Sequence, residues 1–205
     1  TAPNAEGAQG EGLWVSAGAA ATLAGCTLVG NASTGIAAAG SDTRVSILET
    51  TISNTRPNGN GDQGYGLGAR EGATLVAECC VLDRNTMAGA LAHDFGTRVQ
   101  LIDTRILHTA PGADGDAGIG AHANNGALLE VRNCVLDGNA QAGIGTVEPG
   151  TRTMVQDTVI RATQPTSDGH QGNAITASGG SMITAIGCTF QDNHTAGVLA
   201  SDRNT

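Results

Sequence analysis

A repeat of 54 residues runs through the chain and constrains its fold more than any other feature. The same residue types return at this interval without an insertion: Cys26, Cys80, Cys134 and Cys188, then Asn31, Asn85, Asn139 and Asn193, then Gly35, Gly89, Gly143 and Gly197. Each repeat holds two similar coils of 24 and 30 residues, because Thr50, Thr104 and Thr158 occupy the cysteine position of the intervening coils. Repeats of this kind predict a solenoid.

Within each coil the apolar residues alternate with a period of two, and the alternation shifts once at a corner. Two successive coils show this as Leu75, Ala77, Cys80, Leu82 and as Val99, Leu101, Thr104, Ile106. Period two is typical of strands, and short strands broken at a fixed interval predict stacked parallel strands. The pattern lacks the helical periodicity of ankyrin or tetratricopeptide arrays and the spacing of leucine-rich repeats. We therefore expect an all-β fold, a parallel β-helix of about eight coils, with residues 1–205 as a single domain.

The amino-acid composition limits which side chains can fill the core and which classes of partner the chain can bind. Only 2% of the residues are aromatic while 31 are glycine, so the core must be narrow and built from small aliphatic side chains. Every basic residue is arginine, which excludes a lysine nucleophile. The net charge of −9 makes nucleic acid an unsuitable partner. No apolar stretch is long enough to predict membrane insertion.

The sequence Gly-Cys-Thr-Leu-Val-Gly-Asn-Ala-Ser-Thr-Gly-Ile at 25–36, with its echoes at 79–90, 133–144 and 187–198, resembles the right-handed parallel β-helix repeat family. That family is common in large secreted or surface proteins of bacteria and in pectin-degrading enzymes. The resemblance covers essentially the whole chain. It implies a right-handed, pectin-lyase-like fold and an extracellular or cell-surface location, and it is nearly silent on activity.

Two of the recurring columns are expected to point inward. The asparagines should form a ladder that bonds backbone groups of neighbouring coils. Successive cysteines of the column lie two coils apart, about 9.6 Å, which is too far for a disulfide or for a shared zinc ion. We therefore predict buried free thiols, an outward Cys79, no metal and no cofactor.

The candidate ligand-binding residues lie on the outward positions of the first strand in each coil, which differ from coil to coil. Arg70, His93 and Asn124 should stack on successive coils, with His122 beside them and Asp94 at the margin. In the pectin enzymes that the chain resembles, the substrate cleft lies on such a face. The alternative interpretation is an ordinary polar surface exposed to solvent.

The 30-residue coils carry their extra length in three loops at 57–64, 111–118 and 165–172. These loops contain Asp62, Asp114, Asp116 and Asp168, which are calcium ligands in type. A calcium ion takes six to eight oxygens and one loop offers few, so we expect Asp beside Gly to form turns. Whether the loops bind calcium stays open.

Three functional classes compete: a non-catalytic structural or adhesion module, a carbohydrate-active enzyme, and a repeat face that binds glycan, calcium or ice. Neither the clustered aspartates of a pectin hydrolase nor the acidic calcium ligands of a lyase occur, and no regular outward threonine column suits ice. We therefore predict a non-catalytic module of a larger secreted or surface bacterial protein, without catalytic residues. Its expected partners are a glycan or another surface protein. The alternative is a polysaccharide lyase or hydrolase on the first-strand face.

The ends of the chain fall in mid-coil. Thr1 aligns with Thr55 and Thr205 aligns with Thr151, and neither end carries the polar cap that repeat arrays need. We therefore expect the chain to be a segment of a longer solenoid.

Overall fold

The computed structural model describes residues 10–115 and 117–201. Thr1, Thr205 and Asp116 lie outside these residues. The described part of the chain forms 22 strands and no helix of the length and apolar character needed to span a membrane. The first eleven strands are β1 (Leu13–Ser16), β2 (Ala20–Ala24), β3 (Thr27–Val29), β4 (Thr34–Ala39), β5 (Arg44–Leu48), β6 (Thr51–Ser53), β7 (Tyr65–Arg70), β8 (Thr74–Glu78), β9 (Val81–Asp83), β10 (Ala88–His93) and β11 (Arg98–Ile102). The second eleven are β12 (Arg105–Leu107), β13 (Ile119–Asn124), β14 (Leu128–Arg132), β15 (Val135–Asp137), β16 (Ala142–Val147), β17 (Arg152–Gln156), β18 (Val159–Arg161), β19 (Asn173–Ser178), β20 (Met182–Ile186), β21 (Thr189–Gln191) and β22 (Val198–Ala200).

Every third strand stacks in the same sheet, so each coil contributes one strand to each of three parallel sheets. The first sheet has eight strands in the order β1-β4-β7-β10-β13-β16-β19-β22. The second runs β2-β5-β8-β11-β14-β17-β20, and the third contains β3, β6, β9, β12, β15, β18 and β21. This arrangement confirms the predicted parallel β-helix and agrees with the expected number of coils.

The core is a stack of ladders, each made by one inward position of the repeat. One ladder in the first sheet contains Ile36, Leu67, Ala90, Ala121, Ile144 and Ile175, all fully buried. The second sheet contributes Leu75, Val99 and Leu129 in register, and the third contributes Ile52, Leu82, Ile106 and Leu136. Because the three sheets enclose a narrow space, mainly aliphatic side chains fill it, and Phe190 packs against them in register with Ile160.

The asparagine ladder forms as predicted. Asn85 Oδ1 accepts a hydrogen bond from the backbone N–H of Thr55 at 3.1 Å, and its Nδ2 donates to the carbonyl of Ile52 at 3.1 Å. Asn139 repeats both contacts one repeat later, with Thr109 at 3.0 Å and Ile106 at 3.1 Å. Each buried amide therefore satisfies backbone groups of the preceding coil, where water cannot reach.

The cysteine column also follows the prediction. All five cysteines are free; Cys80 and Cys134 are buried, whereas Cys26 and Cys188 are half-buried. The Cys80 thiol lies 3.7 Å from the carbonyl oxygen of Ile47, and the Cys134 thiol lies 3.5 Å from that of Leu101. Cys79 points outward and is exposed.

Candidate functional site

The outward surface of the first sheet, the first-strand face, carries the predicted ligand-binding residues in two ladders. Leu91 pairs with Gly68 on one side and with His122 on the other, so these three residues form the central ladder. His93 pairs with Asn124 in the adjacent ladder. Arg70 comes one residue after Ala69, the partner of Ala92, so the register places Arg70 in line with His93.

A groove of about 210 Å³ lies on this face. Arg70 and His93 line it, together with Trp14 and Leu91, and Gly68 contributes part of its surface. His122 and Asn124 do not line it. Of the four predicted ligand-binding residues, the structure therefore brings two into the groove and leaves two on the neighbouring coil.

Arg70 is held over an aromatic ring at the groove. Its guanidinium carbon lies 5.2 Å from the centroid of the Trp14 ring, within the range of a cation–π contact. Its Nε also lies 3.5 Å from the Glu71 carboxylate in an exposed ion pair. Trp14 is half-exposed, so the pair presents a flat apolar surface beside a positive charge. Such a pair can contact a sugar ring and a carboxylate together.

The opposite wall of the groove comes from residues that the sequence did not single out. Glu11, Gln63 and Tyr65 line it, together with Thr34. The Ser33 hydroxyl bonds to the side-chain oxygen of Gln63, which ties the first projecting loop to the first sheet. Burial, and then the charge of Asp62, raises the pKa of Tyr65, so its phenol stays a neutral donor and acceptor.

His93 is oriented by an acidic partner. Its Nδ1 lies 2.7 Å from Asp94 Oδ1, which also accepts a hydrogen bond from Asn125 Nδ2 at 2.7 Å. The backbone N–H of Glu71 donates to Asp94 Oδ2 at 3.3 Å. The hydrogen bond from His93 is the main cause that lowers the pKa of Asp94. The contact with Asp94 therefore sets the orientation of the His93 ring at the groove.

On the same face, the ring of His122 packs against the sheet. The ring packs with Ile119 above Gly145, where a Cβ atom would come within 3.3 Å of the ring. Burial, and then the charge of His93, lowers the pKa of His122 to about 4. Asn124 Oδ1 is buried and accepts no hydrogen bond from any described residue. These two residues lie beside the groove, on the coil that follows His93.

The comparisons with known proteins agree with this architecture. The family model described as "right handed beta helix region" matches residues 4–160 and 43–205. The chain belongs to the right-handed β-helix family. No curated protein matches it. The family membership establishes the fold and does not assign an activity.

The projecting loops of this β-helix use their polar residues to close turns. Asn58 Oδ1 accepts hydrogen bonds from the backbone of Asn60 and Asp62, each at 3.0 Å. Asp168 Oδ1 accepts from the Thr166 hydroxyl at 2.6 Å and from the backbone N–H of His170 at 3.1 Å. These bonds, that of Thr166 first, lower the pKa of Asp168. Asp168 therefore acts as a turn-former, and Asp116 lies outside the described residues.

A second group of potential ligand atoms lies at the corner between the second and third sheets. Glu78, Cys79 and Asp103 bring their side-chain ligand atoms within 4.8 Å of one another, and all three are exposed. Desolvation, followed by the charges of Asp103 and Glu78, raises the pKa of the Cys79 thiol. The thiolate is the metal-binding form of cysteine, so the raised pKa of Cys79 makes metal binding at this corner more dependent on pH.

Proposed function

We propose that this β-helix is a non-catalytic binding module of a larger secreted or cell-surface protein, and that the groove on the first-strand face holds a glycan. The single observation that carries the proposal is the convergence of Arg70, Trp14 and His93 on one groove. All three stand on strands whose positions are set by the ladders below them. The extracellular location rests on the family resemblance.

The composition of the groove favours binding over hydrolysis. Glycoside hydrolysis ordinarily needs two carboxylates on either side of the scissile bond. Among the described residues that line the groove, Glu11 is the one acidic side chain. The half-exposed Trp14 and half-buried Tyr65 provide the apolar surface, and Arg70 provides the charge, that sugar recognition uses.

The proposal is tested by a screen of neutral glycans and pectate, with and without calcium, scored for binding by calorimetry and for product release. We expect binding without cleavage. Gly68→Leu should abolish binding because its side chain fills the groove, and its Cβ has room, with the nearest side-chain atom 3.5 Å away. Arg70→Ala should weaken binding of acidic glycans most, because it removes the positive charge.

Thr176→Leu is the matched control, because Thr176 follows in the same outward ladder and does not line the groove. It should bind as the unmodified chain does. Product release that disappears in His93→Ala or His122→Ala would establish an enzyme instead. Failure of every glycan to bind would contradict the glycan as ligand.

A further inference from the structure

A second concave surface lies on the outward face of the second sheet and shares no lining residue with the groove. It is an apolar trough of about 620 Å³. Its main walls are Phe95, Leu128, Met154 and Met182, and Arg152 lies among them. The trough crosses the strands β14, β17 and β20.

The apolar side chains of the trough are unusually exposed. Phe95 is 86% exposed, Met182 is 58% exposed and Met154 is 46% exposed. Isolated apolar residues are common on protein surfaces, but a contiguous cluster marks a contact surface. Methionine adapts to partners of different shape, and aromatic residues and methionine are enriched in interfaces.

Phe95 is held at the edge of the trough by a glycine on the next coil. Gly126 has a φ of 82°, and a Cβ atom there would meet the Phe95 ring at 3.4 Å. The ring therefore rests on the backbone of the next coil, while most of its surface faces solvent. Phe95 therefore forms one wall of the trough and leaves most of its ring available to an occupant.

Arg152 gives the trough its charge preference. It stands between Leu128 and Met182 in one ladder, and its exposed guanidinium makes no ion pair or side-chain hydrogen bond with any described residue. Two other arginines on the same face form ion pairs with Glu130, Arg98 at 2.8 Å and Arg132 at 3.9 Å. Among the described residues, the trough is lined by no acidic side chain. An occupant that matches it has an apolar surface with a carboxylate.

The strands beneath the trough also restrict the backbone of the occupant. β14 and β17 are each paired on both sides, so their backbone groups are already bonded. Across β14 and β17 an extended peptide would find no free backbone groups to bond, whereas a helix has its own backbone hydrogen bonds already satisfied. From the coil of Phe95 to that of Met182 the trough is about 14 Å long, which matches about nine residues of helix.

We propose that the trough docks an amphipathic helix of a partner protein, with its apolar side chains on Phe95, Met154 and Met182 and a carboxylate on Arg152. This surface is separate from the groove, so one module holds a ligand and a protein partner at once.

The test uses two fluorescein-labelled synthetic peptides of about four helical turns. Both carry leucine along one face; one has glutamate and the other lysine at the margin of that face. Fluorescence anisotropy should show saturable binding of the glutamate peptide to the 205-residue chain, at least tenfold tighter than the lysine peptide. Arg152→Glu should reverse this preference, and Met182→Lys should abolish binding of the glutamate peptide.

The controls separate a local effect from a general one. Arg44→Glu changes the same charge in the same outward ladder, away from the trough, and should leave the preference intact. Val29→Lys changes an exposed apolar residue of the third sheet and should leave binding intact. Equal binding of both peptides, no saturable binding, or an equal loss in Arg44→Glu would overturn the proposal. Self-association of the chain that Met182→Lys abolishes, without peptide binding, would identify a second copy as the occupant and would also overturn it.

Discussion

At the scale of single residues, His122 shows how a repeated backbone changes the chemistry of a side chain. The same outward ladder contains Gly68, Leu91 and Gly145 at neighbouring positions. Because Gly145 has no side chain, the His122 ring lies against the sheet beside Ile119 and loses part of its contact with water. Desolvation disfavours the imidazolium form, which explains the low pKa.

The first prediction concerns the stability of the protein in acid. His122 has a folded-state pKa of about 4, below its ordinary value, so folding excludes a proton that the unfolded chain binds. Its contribution to stability is present above about pH 6.5 and is lost as the pH falls towards about 4, by at most about 1.4 kcal/mol per pH unit. Urea unfolding of the unmodified chain and of His122→Gln across this range should show a steeper loss of stability with falling pH in the unmodified chain.

The control for this prediction is His170→Gln, which changes an exposed loop histidine and should preserve the slope. NMR titration should find the His122 ring neutral at pH 6. An imidazole that titrates near pH 6.5 would contradict the buried placement of His122.

At Glu130, in contrast to His122, favourable partners outweigh the effect of burial on the pKa. Glu130 is an outward residue of the second sheet, yet only 6% of it is exposed, because side chains from adjacent positions cover it. Burial alone would raise its pKa, but hydrogen bonds from Arg98 and Gln100, with the charge of Arg132, outweigh burial and lower it. The carboxylate thus stays charged and forms ion pairs with two of the arginines on that face.

At the scale of strands and ladders, the sequence predicts more of the fold than of the site. The alternation of Leu75 and Ala77 becomes β8, and that of Val99 and Leu101 becomes β11. Most first-sheet strands, however, start two residues before their buried aliphatic ladder, at Tyr65 before Leu67 and at Ala88 before Ala90. The extra paired residues include the recurring glycine, which has no side chain. The alternation of apolar residues therefore does not predict that the strand extends over them.

The groove was predicted only in part for a physical reason. The register of neighbouring strands follows from the repeat, so Arg70 and His93 could be aligned in advance. Gln63 and Glu11 lie outside the strands and are held at the groove by contacts with the Ser33 hydroxyl. The periodicity of the sequence does not predict these contacts. His122 belongs to the same face by register, but its burial depends on the glycine beneath it.

The second prediction concerns the asparagine ladder. Asn85→Ala leaves the Thr55 N–H and the Ile52 carbonyl buried without their partner, so it should cost about 1–3 kcal/mol of unfolding free energy. Chemical denaturation measures this cost. Asn60→Ala, in an exposed loop, should leave the midpoint unchanged. An unchanged midpoint for Asn85→Ala would show that the ladder does not stabilise the coil.

The third prediction concerns thiol reactivity. Burial is the main cause that raises the pKa of Cys134 to about 11, and it raises the pKa of Cys80 in the same way. In the native protein Cys79 should react with a thiol reagent first, because it alone is exposed, while Cys80 and Cys134 are protected. Unfolding without reductant should expose all five thiols. A shortfall after unfolding would reveal disulfides and contradict the ladder.

At the scale of the whole molecule, each coil contacts mainly the coils directly above and below it, so stability is close to a sum of neighbouring interfaces. The inward columns repeat and hold the solenoid together. The outward columns vary without disturbing those below, which is why one rigid body can carry a polar groove on the first sheet and an apolar trough on the second.

The fourth prediction follows from this independence of neighbouring coils. The chain should still fold after deletion of one whole 54-residue repeat, but not after a deletion that is slightly shorter or longer. Deleting residues 77–130 joins Val76 to Val131, and Val131 occupies the same ladder position as Ala77, because both pair with Leu101. The sequence Cys-Val-Leu-Asp at 134–137 then takes the place of the identical sequence at 80–83. Every inward side chain stays inward, so circular dichroism should show a β-rich protein that unfolds cooperatively at a lower temperature.

Deleting one residue fewer, 78–130, joins Ala77 to Val131 and reverses the alternation of the strand. Arg132 would then point into the core, and a charge without a partner there is costly enough to prevent folding. The two deletions differ by a single residue, so size and composition cannot explain different outcomes. Cooperative unfolding of both, or failure of the whole-repeat deletion to fold, would show that ladder register does not determine the stability of this β-helix.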